Sequence, residues 1–105
     1  MNTTDALLRG ILATVGRTAF PPAALYKIVA PTAGSAKQVQ AYNLCDGQTP
    51  QREICKKLKL DPGNFSRSVS RWVEAGVVIR VGPEDLPLHL YPLSAQDVQV
   101  AKKAG

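Results

Sequence analysis

One segment constrains the fold more than any other part of the chain, because its start, its periodicity and its end all indicate the same helix. It runs from Asp61 to Gly76 and reads D-P-G-N-F-S-R-S-V-S-R-W-V-E-A-G. Asp61 can cap the free amides of the first turn, and Pro62 suits the first helical position. Gly76 suits the left-handed residue that often ends a helix. We therefore predict a single short helix over this segment.

The predicted helix has two chemically different faces at about 100° per residue. The apolar side collects Phe65, Val69, Trp72 and Val73. The opposite side has Arg67 and Arg71 at its centre, flanked by Asn64, Ser68, Ser70 and Glu74. A solvent-exposed helix is usually filled with Glu and Lys pairs, whereas short Ser and Asn side chains beside Arg suit base edges and phosphates. The apolar side therefore predicts a buried Trp72, and the polar side favours nucleic-acid contact, with an ordinary solvated face as the alternative.

The segments on either side predict a helix-turn-helix followed by a hairpin. Upstream, Thr49 can cap a short helix that has Pro50 in its first position and ends near Leu60. Because only K-L-K-L-D joins the two helices, the second begins almost at once. Downstream, the run V-V-I-R-V from Val77 and the run L-H-L-Y to Tyr91 predict two strands, joined by the turn-rich G-P-E-D-L-P.

The order Q-T-P-Q-R-E-I-C-K-K-L-K-L-D-P-G-N-F-S-R-S-V-S-R-W-V-E-A-G-V-V-I-R resembles the winged helix-turn-helix core of bacterial MarR-like transcriptional regulators. The resemblance covers roughly Ala41 to Tyr91, or half of the chain. It implies a mainly α fold with a small β-hairpin, the wing, and a recognition helix in the major groove of double-stranded DNA. Winged helices also serve as protein-binding modules, so an interaction module in a larger assembly is the alternative.

The candidate DNA-binding residues lie on the predicted recognition helix and around it. Arg67 is expected to read guanine bidentately, and Asn64 is a candidate for adenine. The side chains expected to hold phosphates are Ser66, Ser68, Ser70, Arg71 and Lys57.

The predicted wing departs from the family pattern, in which a basic residue at the tip commonly enters the minor groove. Here the tip carries Glu84 and Asp85, whose carboxylates repel phosphate. Either the wing stays off the DNA backbone, or Arg80 at its base makes the contact alone. The family's long C-terminal dimerisation helix would also need more chain than follows the wing.

Basic residues concentrate on the predicted reading unit. The chain of 105 residues carries a net charge of +5, and the stretch from Arg52 to Arg80, with seven basic and three acidic residues, carries +4 of it. This distribution fits a polyanionic partner, with a merely soluble basic protein as the alternative. The length, with 45% hydrophobic and 20% charged residues, predicts one globular domain over 1–105.

The remaining helices are predicted from caps and apolar periodicity. Asn2, Thr3 or Thr4 can cap a first helix that runs to about Gly16, and a second helix runs from Pro22 to about Ala30. Ser35 can cap a third helix that runs to about Cys45. Ser94 can cap a last helix that runs to about Lys103. The single winged-helix domain thus divides into N-terminal helices (1–45), helix-turn-helix (49–76), wing (77–92) and C-terminal helix (94–104).

The first helix carries a broad apolar stripe. The stripe either packs on the domain, which we favour, or pairs with a copy of itself across a two-fold axis. The expected assembly is a homodimer, held mainly by Leu8, Ile11, Leu12 and Val15 with help from the terminal helix.

The sequence lacks a set of catalytic or metal-ligating residues at useful spacing, so we expect neither enzyme activity nor a cofactor. It has one histidine, His89, expected to be a packed or surface residue of a strand, and no Gly-rich phosphate loop. Cys45 and Cys55 lie ten positions apart without zinc-ligand spacing. We expect both cysteines to be buried reduced thiols, with a redox-sensing cysteine pair as the alternative. Tyr42 and Tyr91 are expected to be core or rim residues.

No secretion signal or membrane span is visible. The apolar stretch near the start is short and carries Asp5, Arg9 and Arg17. We therefore expect a cytoplasmic protein without a membrane partner, and no pattern indicates an effector.

Overall fold

The computed structural model describes residues 2–32 and 36–104. Within them the chain forms the helices α1 (Thr3–Ala19), α2 (Pro22–Val29), α3 (Ala36–Asn43), α4 (Gln51–Leu58), α5 (Pro62–Ala75) and α6 (Ala95–Ala104). The strands β1 (Val78–Val81) and β2 (Leu86–His89) form an antiparallel hairpin between α5 and α6. This confirms a mainly α chain with a small hairpin. Across the described residues, none of these helices combines the length and hydropathy needed to cross a membrane.

The hydrophobic core lies between the inward faces of α2 to α5 and the hairpin. Its fully buried side chains include Leu25, Tyr42, Ile54, Trp72 and Val77. The helix α2 packs along α6, α4 packs on α5, and α5 packs on β1. Because each large apolar side chain contributes about 1.5–3 kcal/mol when fully buried, this cluster fixes how the helices lie against one another.

Helix α1 is longer than predicted. Asn2 caps it, since its Oδ1 accepts a hydrogen bond of 2.8 Å from the Asp5 amide. The predicted end near Gly16 is wrong, because Gly16 lies inside the helix, where α1 crosses the chain after the hairpin. A Cβ atom at Gly16 would stand 3.0 Å from the Leu90 Cβ. The glycine therefore serves close packing rather than helix termination.

Polar contacts hold the inward face of α1 against the rest of the domain. The Arg9 guanidinium donates to the Asp46 carbonyl. The Arg17 guanidinium lies 4.4 Å from the centre of the Tyr91 ring and 3.7 Å from the Asp97 carboxylate. These contacts fix which side of α1 faces solvent.

The apolar stripe of α1 does not pack on the domain, so that expectation is wrong. Leu7, Leu8, Ile11 and Val15 are 59–63% exposed. Leu12 is the exception, because it is partly buried against the core. It therefore does not belong to the exposed face that was expected to form a dimer.

The start of α4 differs from the prediction, because the helix begins one residue later than a Thr49 cap requires. Pro50 is the capping residue and makes no side-chain cap. The Thr49 hydroxyl instead donates to Asp46 Oδ2 at 3.1 Å, and Asp46 Oδ1 accepts from the amides of Gln48 and Thr49 at 2.9 and 2.8 Å. A carboxylate three residues upstream thus organises the turn before α4.

Helix α3 ends earlier than predicted, whereas α6 begins with the predicted cap. Ser35, the predicted cap of α3, lies outside the described residues, and α3 ends at Asn43 rather than near Cys45. The Asn43 amide instead makes two 2.8 Å hydrogen bonds with the Leu93 backbone. The Ser94 cap of α6 is confirmed, since Ser94 Oγ accepts from the Asp97 amide at 3.0 Å and Asp97 accepts from the Ser94 amide at 3.1 Å.

The hairpin has the predicted first strand, but the second begins two residues earlier than L-H-L-Y. Pro87 pairs with Arg80 in the register, although proline usually interrupts a strand. The Pro87 carbonyl accepts a hydrogen bond from the Gly47 amide at 2.8 Å, so this carbonyl points away from β1. Because the N–H and C=O of one residue point to the same side in an antiparallel strand, the missing N–H of Pro87 removes no bond to β1.

The cysteines and the histidine are packed residues, as expected. Cys45 and Cys55 are free and buried. Burial raises the pKa of Cys45 to about 12 and also raises the pKa of Cys55, so both favour the inert thiol. His89 is partly buried, and its Nδ1 lies 3.1 Å from the Tyr42 carbonyl.

Candidate nucleic-acid interface

Local signals at both ends define α5, as predicted. Asp61 Oδ2 accepts a 2.9 Å hydrogen bond from the Asn64 amide and so satisfies one free N–H of the first turn. Gly76 ends the helix with φ 85°. The Val77 amide then donates to the Trp72 carbonyl at 3.0 Å, which closes the helix and turns the chain into the hairpin.

Aromatic packing fixes the rotation of α5 about its axis. Phe65, Val69 and Trp72 are buried. The Trp72 ring meets the edge of Tyr42 from α3 at 5.5 Å between centroids and lies 6.0 Å from Phe65. With this face held in the core, the opposite face of α5 must point to solvent.

The turn between α4 and α5 is short. Lys59 adopts a left-handed conformation with φ 55°, and the Leu60 amide donates to the Cys55 carbonyl at 3.0 Å. Asp61 follows at once as the cap of α5. This compact turn holds the two helices together and leaves Lys57 and Lys59 exposed beside α5.

The outward face of α5 presents donors with short side chains around them. Its exposed members among the predicted residues are Asn64, Ser66, Arg67, Ser70 and Arg71. Arg67 and Asn64 form a unit, because an Arg67 guanidinium N–H donates to Asn64 Oδ1. Asn64 Oδ1 keeps a second lone pair, so the Asn64 amide still offers an acceptor as well as its N–H donors.

Ser68 does not belong to this face, so its predicted role in holding phosphate is wrong. Its side chain is buried, with 7% of the residue exposed. Ser68 lies three residues after Phe65 and four before Trp72, and it therefore falls within the arc of the helix that the domain covers. The arc is wider than the apolar residues alone indicated.

Gly63 is a further exposed residue at the candidate interface, and the sequence analysis did not select it. It is exposed in the first turn of α5, beside the Arg67 guanidinium, whose Nη1 would lie 3.9 Å from a Cβ atom there. Without a side chain at this position, the N-terminal turn of α5 is open to close approach by another molecule. The signal was present in the sequence as a glycine directly after the first helical proline.

Arg80 lies one residue pair from the hairpin turn, so the predicted position at the base is wrong, and Gln51, which the sequence did not single out, holds its side chain. Its Nη1 donates to Gln51 Oε1 of α4 at 3.0 Å and to the Asp85 carbonyl at 3.4 Å. Gln51 thus positions the Arg80 guanidinium between α4 and the hairpin. The remaining N–H groups of this exposed side chain stay available.

The hairpin tip is acidic and exposed. Glu84 and Asp85 both lie at the surface, and Asp85 adopts φ 53°. Both carboxylates line an open groove together with Arg52 and Arg80. The charges of this corner therefore offset one another, in contrast to the outward face of α5.

The surface around α5, with this corner included, carries more basic than acidic side chains. Its exposed basic residues are Arg52, Lys56, Lys57, Lys59, Arg67, Arg71 and Arg80. Lys56 lies 3.9 Å from Glu53. Within the described part of the chain, the other six form no ion pair with a carboxylate. The surface is thus arranged to attract a polyanion.

Comparisons with protein-family models, with curated proteins and with solved structures found no match to this chain. The resemblance to MarR-like regulators therefore stays a prediction that depends on the sequence order quoted above. Support for a nucleic-acid interface comes from the geometry and charge of its own residues.

Proposed function

We propose that this protein is a sequence-specific double-stranded DNA-binding protein, a bacterial transcriptional regulator with a winged helix-turn-helix fold. In this proposal α4 and α5 are the helix-turn-helix, α5 is the recognition helix in the major groove, and the β1–β2 hairpin is the wing. One observation carries the proposal: the outward face of α5 combines paired Arg67 and Asn64 with short side chains inside a positively charged surface. Such a regulator acts in the cytoplasm.

The Arg67–Asn64 unit supplies both donors and an acceptor. The Arg67 guanidinium matches the O6 and N7 acceptors of guanine. Adenine recognition by asparagine needs Oδ1 as an acceptor for the base N6 amino group. Asn64 Oδ1 accepts from Arg67 and keeps a second lone pair, so Asn64 stays a candidate for adenine.

The wing has a smaller role in this proposal than the family resemblance implies. Glu84 and Asp85 keep the tip away from phosphates, whereas Arg80 is positioned by Gln51 close to the start of α4. Arg80 then holds one backbone phosphate near α4. Lys57, Ser66, Ser70 and Arg71 supply further backbone contacts.

Selection of bound duplexes from a random pool tests the proposal. We expect an enriched motif that contains guanine, and its guanine preference should disappear when Arg67 is replaced. If no sequence is enriched at low salt, the protein does not read DNA.

Two substitutions on α5 separate base reading from phosphate anchoring. Arg67→Ala should weaken the selected site by about 1–3 kcal/mol and affect scrambled duplexes less, since a bidentate base contact carries discrimination. Arg71 lies one turn later, and Arg71→Ala should weaken binding to all duplexes alike. It should also reduce the slope of log affinity against log salt by about 0.9 for each phosphate that the variant no longer neutralises.

Binding isotherms at several salt concentrations measure both effects. Ser68→Ala is the matched control on the same helix, because Ser68 is buried and should leave affinity and slope unchanged. If neither arginine substitution changes affinity or slope, α5 does not face DNA.

The second candidate function is a protein-interaction module that binds an acidic protein through the same face. The acidic hairpin tip favours it, because Glu84 and Asp85 stand where a DNA-binding wing usually carries a basic residue. Replacing both carboxylates, as Glu84→Gln with Asp85→Asn, should strengthen DNA binding if the tip lies near phosphate. Unchanged weak binding to every duplex would favour the interaction module.

A further inference from the structure

We propose that the outward face of α1 is a self-complementary surface that pairs two copies of this chain. The proposal concerns a surface separate from α5 and does not depend on DNA binding. It begins with an inverted charge pattern: the charged residues of α1 are Asp5, Arg9 and Arg17, and at about 100° per residue they fall on the half of the helix that faces the domain or at its edge. The half that faces solvent carries no charge, which is the reverse of an ordinary surface helix.

The solvent-facing half of α1 contains a ridge of large apolar side chains. Leu7, Ile11 and Val15 follow one another at intervals of four residues and are 61–63% exposed. Leu8 flanks the ridge and is 59% exposed. A patch of this kind on an otherwise charged protein marks an interaction site.

Beside the ridge runs a groove of small residues with the same spacing. Ala6, Gly10 and Thr14 form its floor, and Leu7, Ile11 and Val15 form its wall. At Gly10 a Cβ atom would have no neighbour within 4 Å, so the floor is open to an incoming side chain. Helices commonly pack by fitting a row of residues at intervals of four into a groove of the same spacing.

Two threonines of this face, Thr14 and Thr18, make hydrogen bonds within the helix. Thr14 Oγ1 donates to the Gly10 carbonyl at 2.9 Å, and Thr18 Oγ1 donates to the Thr14 carbonyl at 3.2 Å. Their hydroxyl groups can therefore be covered without leaving a donor unpaired. The C-terminal half of this face thus behaves as an apolar surface.

A second copy is the partner that fits this face. One helix carries the ridge and the adjoining groove at equal spacing, so a two-fold axis places the ridge of each copy in the groove of the other. An uncharged face also brings no like charges together, although each chain carries +5. An acidic or basic partner would find no opposite charge on this half of α1.

The length of α1 sets the expected strength of pairing. Seventeen residues span about 25 Å, and one helix pair of that length buries less than the roughly 800 Å² per partner of a standard interface. We therefore expect a reversible dimer that forms with rising concentration.

Sedimentation velocity of the full chain tests the pairing. Over a range from a few to several hundred micromolar, the wild-type chain should move from the 11.3 kDa monomer toward twice that mass. Gly10→Leu fills the groove and should weaken pairing by about tenfold or more, because the ridge of the partner no longer fits. Ala24→Leu adds the same side chain at an exposed position of α2 and should leave pairing unchanged.

The Gly10 substitution distinguishes groove packing from unspecific hydrophobic association. An extra leucine would strengthen unspecific association, and it should also favour the helix of the monomer. Thermal unfolding by circular dichroism verifies that Gly10→Leu folds. The proposal is overturned if the wild-type chain stays monomeric throughout the range, or if Gly10→Leu pairs as tightly as the wild type.

Discussion

Trp72 offers the strongest test of how the core fixes α5. Its side chain is fully buried between Tyr42 and Phe65, at centroid distances of 5.5 and 6.0 Å. Trp72→Ala should lower the free energy of unfolding by about 3–5 kcal/mol, through reduced burial and the cavity left behind. Each aromatic contact accounts for about 0.5–1.5 kcal/mol of this decrease. Because total domain stability is about 5–15 kcal/mol, the variant should lose between about a fifth and all of it.

Trp72→Phe separates packing from hydrogen bonding at the same position. Among the described residues, the buried Trp72 Nε1 has no hydrogen-bond partner. Phenylalanine should forfeit about 1–2 kcal/mol of burial and packing, but it also removes an unpaired donor whose burial costs about 1–3 kcal/mol. The two effects nearly cancel, so the net change should lie within about 1 kcal/mol of zero.

Urea unfolding followed by far-ultraviolet circular dichroism measures both variants. Fluorescence is unsuitable because Trp72 is the single tryptophan of the chain. Arg71→Ala is the exposed neighbouring control and should change stability by about 0.5 kcal/mol or less. A decrease below about 1 kcal/mol for Trp72→Ala would refute the packing argument. A decrease for Trp72→Phe close to that for Trp72→Ala would show that Nε1 has a partner.

Two further predictions concern local stability. Gly76→Ala should lower the free energy of unfolding by about 1–2 kcal/mol, because φ 85° strains an L-residue. Gly10→Ala in the open interior of α1 should raise it by about 0.5–1 kcal/mol. Urea titration measures both changes. Burial lowers the pKa of His89, so the unfolded chain binds a proton that the folded chain does not. Stability should be full above about pH 6.5 and fall as the pH drops below it. His89→Gln should flatten that fall, and an unchanged pH profile would contradict the assignment.

The sequence predicted α5 accurately because both of its ends are defined locally. Asp61 and Gly76 make hydrogen bonds to residues no more than four positions away. Such local bonds can be predicted from the order of residues alone. Ser68 could not be assigned in the same way. Whether a residue at the border of a helix face is covered depends on the elements that pack beside it, and their positions are not local information.

The errors elsewhere also have physical causes. Thr49-Pro50 has the pattern of a cap, yet α4 begins at Gln51 with Pro50 in the capping position, and the Thr49 hydroxyl donates to the Asp46 carboxylate. Gly16 looked like a helix end, whereas its lack of a side chain is used against Leu90. Pro87 is predicted in the turn before the second strand, but the edge that lacks the N–H points away from β1, so Pro87 fits within β2. In each case the residue type was recognised correctly, and a distant or competing group decided its role.

The two candidate surfaces differ in chemistry, and salt should therefore act on them in opposite directions. The outward face of α5 and its surroundings carry six basic side chains without a described carboxylate partner, so binding of a polyanion there must weaken as salt rises. The outward face of α1 carries no charge, and salts that strengthen apolar burial leave its pairing unchanged or strengthen it. Pairing through the ridge and groove of α1 should therefore persist at the salt concentrations at which we expect α5 to release DNA. The two surfaces can therefore be examined independently in a single chain.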